Sequence, residues 1–258
     1  MVSGKRFRIS RLLKNGRMLC VPMDHGITVG PVKGIDNIEQ TITSVSRAGA
    51  TAVLLHKGII KSISNIPQCG IIMHMSASTN LGPSPNRKVL ITTVEEAIRL
   101  GVDAVSVHIN IGCKEEPEML EQLGHVADAC DSYQLPLIAM MYVRGEKIAD
   151  PADPDAIIHA ARIGAEAGAD IVKTVYTGNR ESFRRLVLSC PVPVVLAGGP
   201  KINDDVAVLS LAWDAIQAGA MGVTFGRNIF QHEEPDRIVR ALHRVVIEGM
   251  EPNKALVI

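Results

Sequence analysis

The chain has 258 residues, 47% of them hydrophobic and only 3% aromatic, enough for one large core and within the length at which α/β barrels run undivided. Its 27 basic residues balance 27 acidic ones, so no global field attracts nucleic acid or an anionic membrane, and a small molecule is the expected partner. Cys20, Cys69, Cys113, Cys130 and Cys190 are scattered without a C-x-x-C pair, and no apolar run approaches the roughly 18 residues of a membrane span, so reduced thiols in a soluble, unsecreted, cytoplasmic protein are expected.

Residues 1 to about 16 read as a short basic arm. The first strand signal is MLCVPMD, 18–24, which ends in Asp24-His25-Gly26. Asp36 and Glu39 resemble a capping box that opens a helix. That helix closes at RAGATAV, where Gly49 turns the chain into a strand over 51–56 ending in His56-Lys57-Gly58. GIIMHMS supplies a third strand, 70–76, with His74 near its end. Thr93 stands before EEAIRL as a helix N-cap, and RLGVDAV turns at Gly101 into a strand over 104–110 that carries His108 and Asn110.

LPLIAMMY predicts the fifth strand, 135–142, ending in Tyr142 and followed by Val143 and Arg144. Asp153 then Pro154 gives an N-cap with proline at the first helical position. EAGADIV turns at Gly168 into a strand over 169–176, ADIVKTVY, with Lys173 inside a β-branched run. VPVVLAGG spans 192–199 and leads through Gly198-Gly199-Pro200 to Lys201. QAGAMGV turns at Gly219 into the eighth strand, 222–226, which ends in Gly226-Arg227-Asn228.

The four glycine turns resemble one another and are spaced widely enough for two strand–helix units each. Most strand segments are continuous Val/Ile/Leu/Met runs, as strands buried on both faces of a parallel sheet are. The pattern predicts a single-domain (β/α)8 barrel over 1–258. An open doubly wound sheet is the alternative, but no Gly-x-Gly-x-x-Gly turn follows the first strand.

In such a barrel the chemistry lies at the C-terminal strand ends, where the polar residues just named collect. A lysine partly withdrawn from water there loses some preference for its charged form, and a neutral amine attacks ketones. The resulting iminium withdraws electrons and lets the adjacent carbon act as a carbanion equivalent, with Asp24 and Tyr142 in reach for proton transfer. The bland alternatives are an edge lysine, a capping carboxylate and a rim phenol, with Met140 and Met141 as core and pocket wall. Gly198-Gly199 with Lys201, and Gly226-Arg227, where a short helix begins, form a candidate phosphate site; a structural salt bridge at the rim is the alternative for Arg227. His25, His56, His74 and His108 end four consecutive strands and offer a rival metal-dependent lyase or hydrolase, although no His-x-His pair or carboxylate-bearing metal motif accompanies them. A sugar-phosphate-binding barrel without turnover is a third reading.

VPMDHG, LLHKG, MMYVRG, ADIVKT, AGGPK and GRNIFQH, in this order from Met18 to His232, closely resemble the archaeal-type class I aldolases. The resemblance implies a (β/α)8 fold, a Schiff-base lysine at Lys173, a proton-donating Tyr142, a proton acceptor at Asp24, and neither cofactor nor metal. It implies substrate contacts by His25, Gly26, Ile27, Thr28, Val143 and Arg144, and by Gly198, Gly199, Gly226 and Arg227, beside the strand-end candidates His56, Lys57 and Lys201. It also implies a homo-oligomer, often a decamer. The reaction implied is an aldol or transaldol condensation on L-aspartate 4-semialdehyde, with 6-deoxy-5-ketofructose 1-phosphate or dihydroxyacetone phosphate as donor. Fructose-bisphosphate aldolases of the family usually carry tryptophan where this chain has Met140, which favours the branch that makes C7 amino keto acids. Relatives commonly read Tyr-Pro-Arg-Gly where this chain has Tyr142-Val143-Arg144-Gly145, so a displaced tyrosine or a loosened loop is expected.

Overall fold

A computed structural model describes residues 4–256; the start of the basic arm, residues 1–3, lies outside them. Eight parallel strands close into a barrel: β1 Met18–Pro22, β2 Ala52–His56, β3 Gly70–His74, β4 Ala104–Ile111, β5 Leu137–Val143, β6 Ile171–Thr174, β7 Val194–Ala197 and β8 Gly222–Thr224. Each pairs with its neighbours in chain order, and β1 closes on β8 through Met18↔Gly222 and Cys20↔Thr224. Closure removes the open-sheet alternative. Strand residues project alternately inward and outward. An inner cluster gathers Met18, Cys20, Ala52, Leu54, Ile72, Ala104, Ile138, Met140, Ile171 and Val195. Outward neighbours such as Leu19, Val53, Val105, Met141 and Val172 pack under the helices in a second cluster.

The expected helix starts fare differently. Thr93 caps Val94–Arg99 by accepting from the Glu96 amide, and Asp153 caps Pro154–Glu166 by accepting from the Asp155 amide. The Asp36/Glu39 box does not form. Helix Ile38–Arg47 begins at Asn37 without a side-chain cap. Asp36 instead accepts from the Gly34 amide, and Glu39 accepts from the Ser64 and Asn65 amides of the next connection. Gly49, Gly101, Gly168 and Gly219 all hold positive φ, between 72° and 109°, and turn helix into strand as the repeat required.

The described part of the arm forms a helix, Gly4–Arg11, against the N-terminal end of the barrel. Leu12, fully buried, joins the inner cluster and stops the barrel floor. Buried Lys5 donates to Asp131 on the helix between β4 and β5 and, at 2.8 Å and 3.0 Å, to Asp170 just before β6. An ammonium between two carboxylates fixes the arm without leaving a naked buried charge. Burial alone would lower the Lys5 pKa, but its bonds to Asp131 and Asp170 outweigh that and raise it.

After β3 the chain makes a short antiparallel hairpin, Ser76–Ala77 with Val89–Leu90, which the sequence pattern did not predict. It folds the connection back over the barrel mouth, where the Asn80 amide donates to the Thr28 carbonyl at 3.0 Å.

Candidate active site

The C-terminal end of the barrel opens into a cavity of about 540 Å³. Lys173 reaches it because β6 registers Lys173 between Met140 of β5 and Val195 of β7, both inward-facing residues. The side chain is 5% exposed and makes no hydrogen bond among the described residues. An edge lysine does not fit this setting, since the side chain is buried between Met140 and Val195 and lines the cavity. Cys20, on β1 beneath, is an inert neighbour whose thiol burial pushes up to about 12.

Asp24 follows β1 and faces Lys173 across a cage of imidazoles. Its Oδ2 lies 3.8 Å from His74 Nε2 and its Oδ1 lies 3.6 Å from His25 Nδ1. Burial opposes ionisation at Asp24, but the attraction of His74, His25, Lys173 and His56 holds its carboxyl well below the usual carboxylate range. Burial likewise pushes His74 down to about 3 and lowers His25 and His56, so these rings are neutral at pH 7. The geometry fixes the rings. Ser106 Oγ lies 2.8 Å from His74 Nδ1, and His56 donates from Nδ1 to the His74 carbonyl at 3.2 Å. Asp24 therefore stands as an ionised carboxylate on the cavity wall, not as a helix cap.

Tyr142 lines the same cavity from the end of β5. His108 packs on its ring at a centroid distance of 4.8 Å, and the Arg144 guanidinium lies 4.9 Å from the ring centre. His108 donates from Nε2 to Asn110 Oδ1 at 2.9 Å, and burial keeps its pKa well below 6.5. Tyr142 lines the cavity with Val143, not proline, following it. Strand alternation sends Val143 to the outer face, buried under the helices, so it does not line the cavity as expected.

At the opposite rim, Arg227 donates from a terminal guanidinium nitrogen to the Gly199 carbonyl at 3.0 Å and leaves its buried Nε without a partner. Among the described residues it forms no salt bridge, contrary to the alternative of a rim ion pair. Gly199 holds φ +67°, which glycine adopts without strain. Gly226 meets the end of β1 so closely that a Cβ would lie 2.8 Å from the Pro22 carbonyl oxygen. Gly198 has a different task from the one expected of it. Its amide already donates to Thr224 and its carbonyl accepts from Asn228, so it shapes the turn without offering a free donor.

Several predicted contacts lie elsewhere. Lys57 bonds Glu96 at 3.1 Å, outside the cavity, because a helix begins at that residue and turns its side chain outward. Lys201 is exposed beyond the Pro200 turn and does not line the cavity. Gly26 opens a short helix and is exposed, while Ile27 and Thr28 do line the cavity. No group of three or more His, Cys, Asp or Glu among the described residues is arranged to hold a metal ion. The side chains missed from the sequence are Ser78, Asn80 and Lys88, all delivered by the hairpin connection. Their only local signal was the turn-rich stretch between GIIMHMS and KVLITT.

Barrels with an amine at the bottom of a cationic mouth, and a carboxylate and a phenol beside it, are built for imine-forming aldol chemistry. The chain belongs to the DeoC/LacD aldolase family, whose pattern matches residues 18–232. It is 45% identical over 255 residues to 2-amino-3,7-dideoxy-D-threo-hept-6-ulosonate synthase 1 of Archaeoglobus fulgidus, covering 98% of this chain and 95% of that relative. It is 39% identical over 232 residues to 2-amino-4,5-dihydroxy-6-oxo-7-(phosphonooxy)heptanoate synthase of Streptomyces griseus, covering 89% and 85%. Among solved structures, an archaeal fructose 1,6-bisphosphate aldolase superposes with a TM-score of 0.88 at 30% identity over 95% of this chain and 100% of that one. Another such aldolase, with its catalytic lysine covalently bound to the carbinolamine intermediate of the substrate, gives the same score and identity over 94% and 99%.

Proposed function

We propose that the protein is a class I aldolase or transaldolase that joins a phosphorylated ketose donor to L-aspartate 4-semialdehyde, giving a C7 amino keto acid. The observation that carries the reading is Lys173, a buried amine without a hydrogen-bond partner among the described residues, which lines the cavity at the barrel mouth with an ionised carboxylate. Lys173 Nζ attacks the donor ketone, and the carbinolamine loses water to form an iminium. Asp24 accepts the proton from the adjacent carbon, leaving an enamine whose carbon attacks the aldehyde. Tyr142 donates a proton to the oxygen that was the aldehyde carbonyl, and water releases the ketone product from Lys173. In the transaldol variant, the reverse of this step on the donor first frees an aldehyde fragment and leaves the same enamine.

The Gly199, Gly226 and Arg227 rim is our site for the donor phosphate, supported by the unpartnered Arg227 Nε and by the cavity that it borders. Dihydroxyacetone phosphate and 6-deoxy-5-ketofructose 1-phosphate are the two donors that this reading admits. A fructose-bisphosphate aldolase is the second reading, favoured by the structural likeness; Met140 on the cavity wall, in place of the usual tryptophan, speaks for the amino keto acid branch. A homo-oligomer, with a decamer expected, belongs to the same proposal and is read by sedimentation. Borohydride reduction in the presence of each donor, followed by peptide mapping, should label Lys173. A donor panel with L-aspartate 4-semialdehyde should give a C7 amino product by mass. Label on Lys57 or Lys201, or activity lost to EDTA and restored by zinc, would overturn the reading.

A further inference from the structure

We propose that Lys88 recognises the carboxylate of the aldehyde acceptor, with Arg144 beside it, and so sets acceptor specificity; this rests on the aldolase reading above. Lys88 is 8% exposed and lines the cavity. Its ammonium donates to Ser78 Oγ and, at 3.0 Å, to the Pro85 carbonyl. Both partners are neutral, and no carboxylate pairs with Lys88 among the described residues. An ammonium has three donors, so one is left over, and Asp24 offsets its charge only from beyond ion-pair distance. Buried lysines in that condition are costly to keep without an anion to meet. Arg144 lies close enough to lower the Lys88 pKa further, second to burial, and has no anionic partner either.

The charge inventory and the topology agree on what that anion is. The cavity lining carries Lys88, Arg144, Lys173 and Arg227 against the single carboxylate of Asp24. Lys88 comes from the connection between β3 and β4 and Arg144 from the end of β5, whereas Gly199 and Arg227 follow β7 and β8. In the closed order β3 lies opposite β7 and β4 opposite β8, so the two anion sites face each other across the mouth with Lys173 between. With dihydroxyacetone phosphate as donor, the linear C7 product carries its phosphate and its carboxylate at opposite ends, with the ketone carbon near the phosphate. The rim at β7 and β8, with its guanidinium, suits the dianion. The Lys88 corner presents one free donor beside a carbonyl oxygen, which suits a monoanionic carboxylate and repels a phosphate.

Lys88→Met keeps the length and loses the charge. With dihydroxyacetone phosphate as donor, it should raise KM for L-aspartate 4-semialdehyde about 10- to 100-fold, while changing the rate with glycolaldehyde less than about 3-fold. Lys88→Arg should restore most of the affinity. Borohydride trapping of the donor on Lys173 should persist in Lys88→Met, which reports a folded donor site. Calorimetric binding of L-homoserine, the unreactive alcohol counterpart of the acceptor, should weaken by the same factor without any turnover. Equal losses with both aldehydes, or loss of trapping, would assign Lys88 to loop structure alone. A larger loss with D-glyceraldehyde 3-phosphate would make the corner a second phosphate site and overturn the proposal. If the wild-type protein fails to trap any donor, the aldolase reading falls, and the homoserine titration still decides the fate of Lys88.

Discussion

Three lysines are buried, one at the barrel floor and two at its mouth, and their surroundings are opposite. Lys5 at the floor meets two carboxylates, Asp131 and Asp170. Lys88 and Lys173 at the mouth meet none within ion-pair distance among the described residues. Burial lowers the pKa of Lys88 but is overcome at Lys5 by its partners. A buried cation that the fold satisfies is structural, and a buried cation that the fold leaves unsatisfied waits for something the chain does not contain. Sequence polarity alone does not separate the two, since nothing in the local sequence around Lys5, Lys88 or Lys173 shows which of them a carboxylate meets.

The contrast is broken most severely at Lys173. Lys173→Met should abolish covalent trapping and lower activity by at least about 10⁴-fold, because no other amine takes over the imine step. The same change should leave thermal stability level or raised, since a thioether fits among Met140, Ile171 and Val195 and a buried charge is removed. A variant that still traps donor, or that unfolds, would erase the distinction between mouth and floor.

Arg227→Ala tests the opposite rim. KM for dihydroxyacetone phosphate should rise about 100-fold, whereas the rate with unphosphorylated dihydroxyacetone should change only a few-fold. Equal penalties on both donors would move the phosphate away from β7 and β8.

Lys5→Met is the mirror experiment. It leaves Asp131 and Asp170 without their cation and should cost about 1–3 kcal/mol of stability in urea unfolding, at unchanged kcat. The raised pKa of Lys5 gives this bond a pH signature: its stabilisation is complete below the unfolded value of 10.5 and is lost only as pH climbs through the higher folded value.

A further test lies at the acid side of the mouth. His74, with a pKa pushed down to about 3 from 6.5, stays neutral in the native state while the unfolded chain takes up a proton. Its contribution is therefore complete above pH 6.5 and falls away progressively as pH drops towards 3. His74→Gln should flatten that part of the urea midpoint against pH curve, whatever it does to activity.

The eight strands were legible because both faces of most are buried: Met18–Pro22 and the stretch from Leu137 to Met141 are apolar throughout, a pattern that depends only on residue type. The helix turns at Gly49, Gly101, Gly168 and Gly219 were legible because positive φ is a local demand. Lys173, Tyr142, Asp24 and Arg227 were legible as strand-end residues, since strand periodicity and the barrel rule place them at one rim. The Asp36/Glu39 box failed because Glu39 found better donors at Ser64 and Asn65, a contact across a gap in sequence that capping patterns do not see. Val143 and Lys57 failed for a related reason: adjacency to a site residue in sequence carries a side chain to the other face of a strand or out along a helix.

By itself, then, the order of residue types determined a closed (β/α)8 barrel and the ring of polar groups at its mouth, because burial on two faces, glycine turns and strand alternation are properties of short segments. Only the tertiary structure decided which of three buried lysines has carboxylates beside it. It also decided that the hairpin Ser76–Ala77/Val89–Leu90 brings Lys88 over the cavity and that Gly198 spends its amide on Thr224. Those outcomes turn on distances between residues far apart in the chain, and in a low-dielectric interior a few ångströms to the nearest opposite charge decide whether a buried lysine is paired or left without a partner.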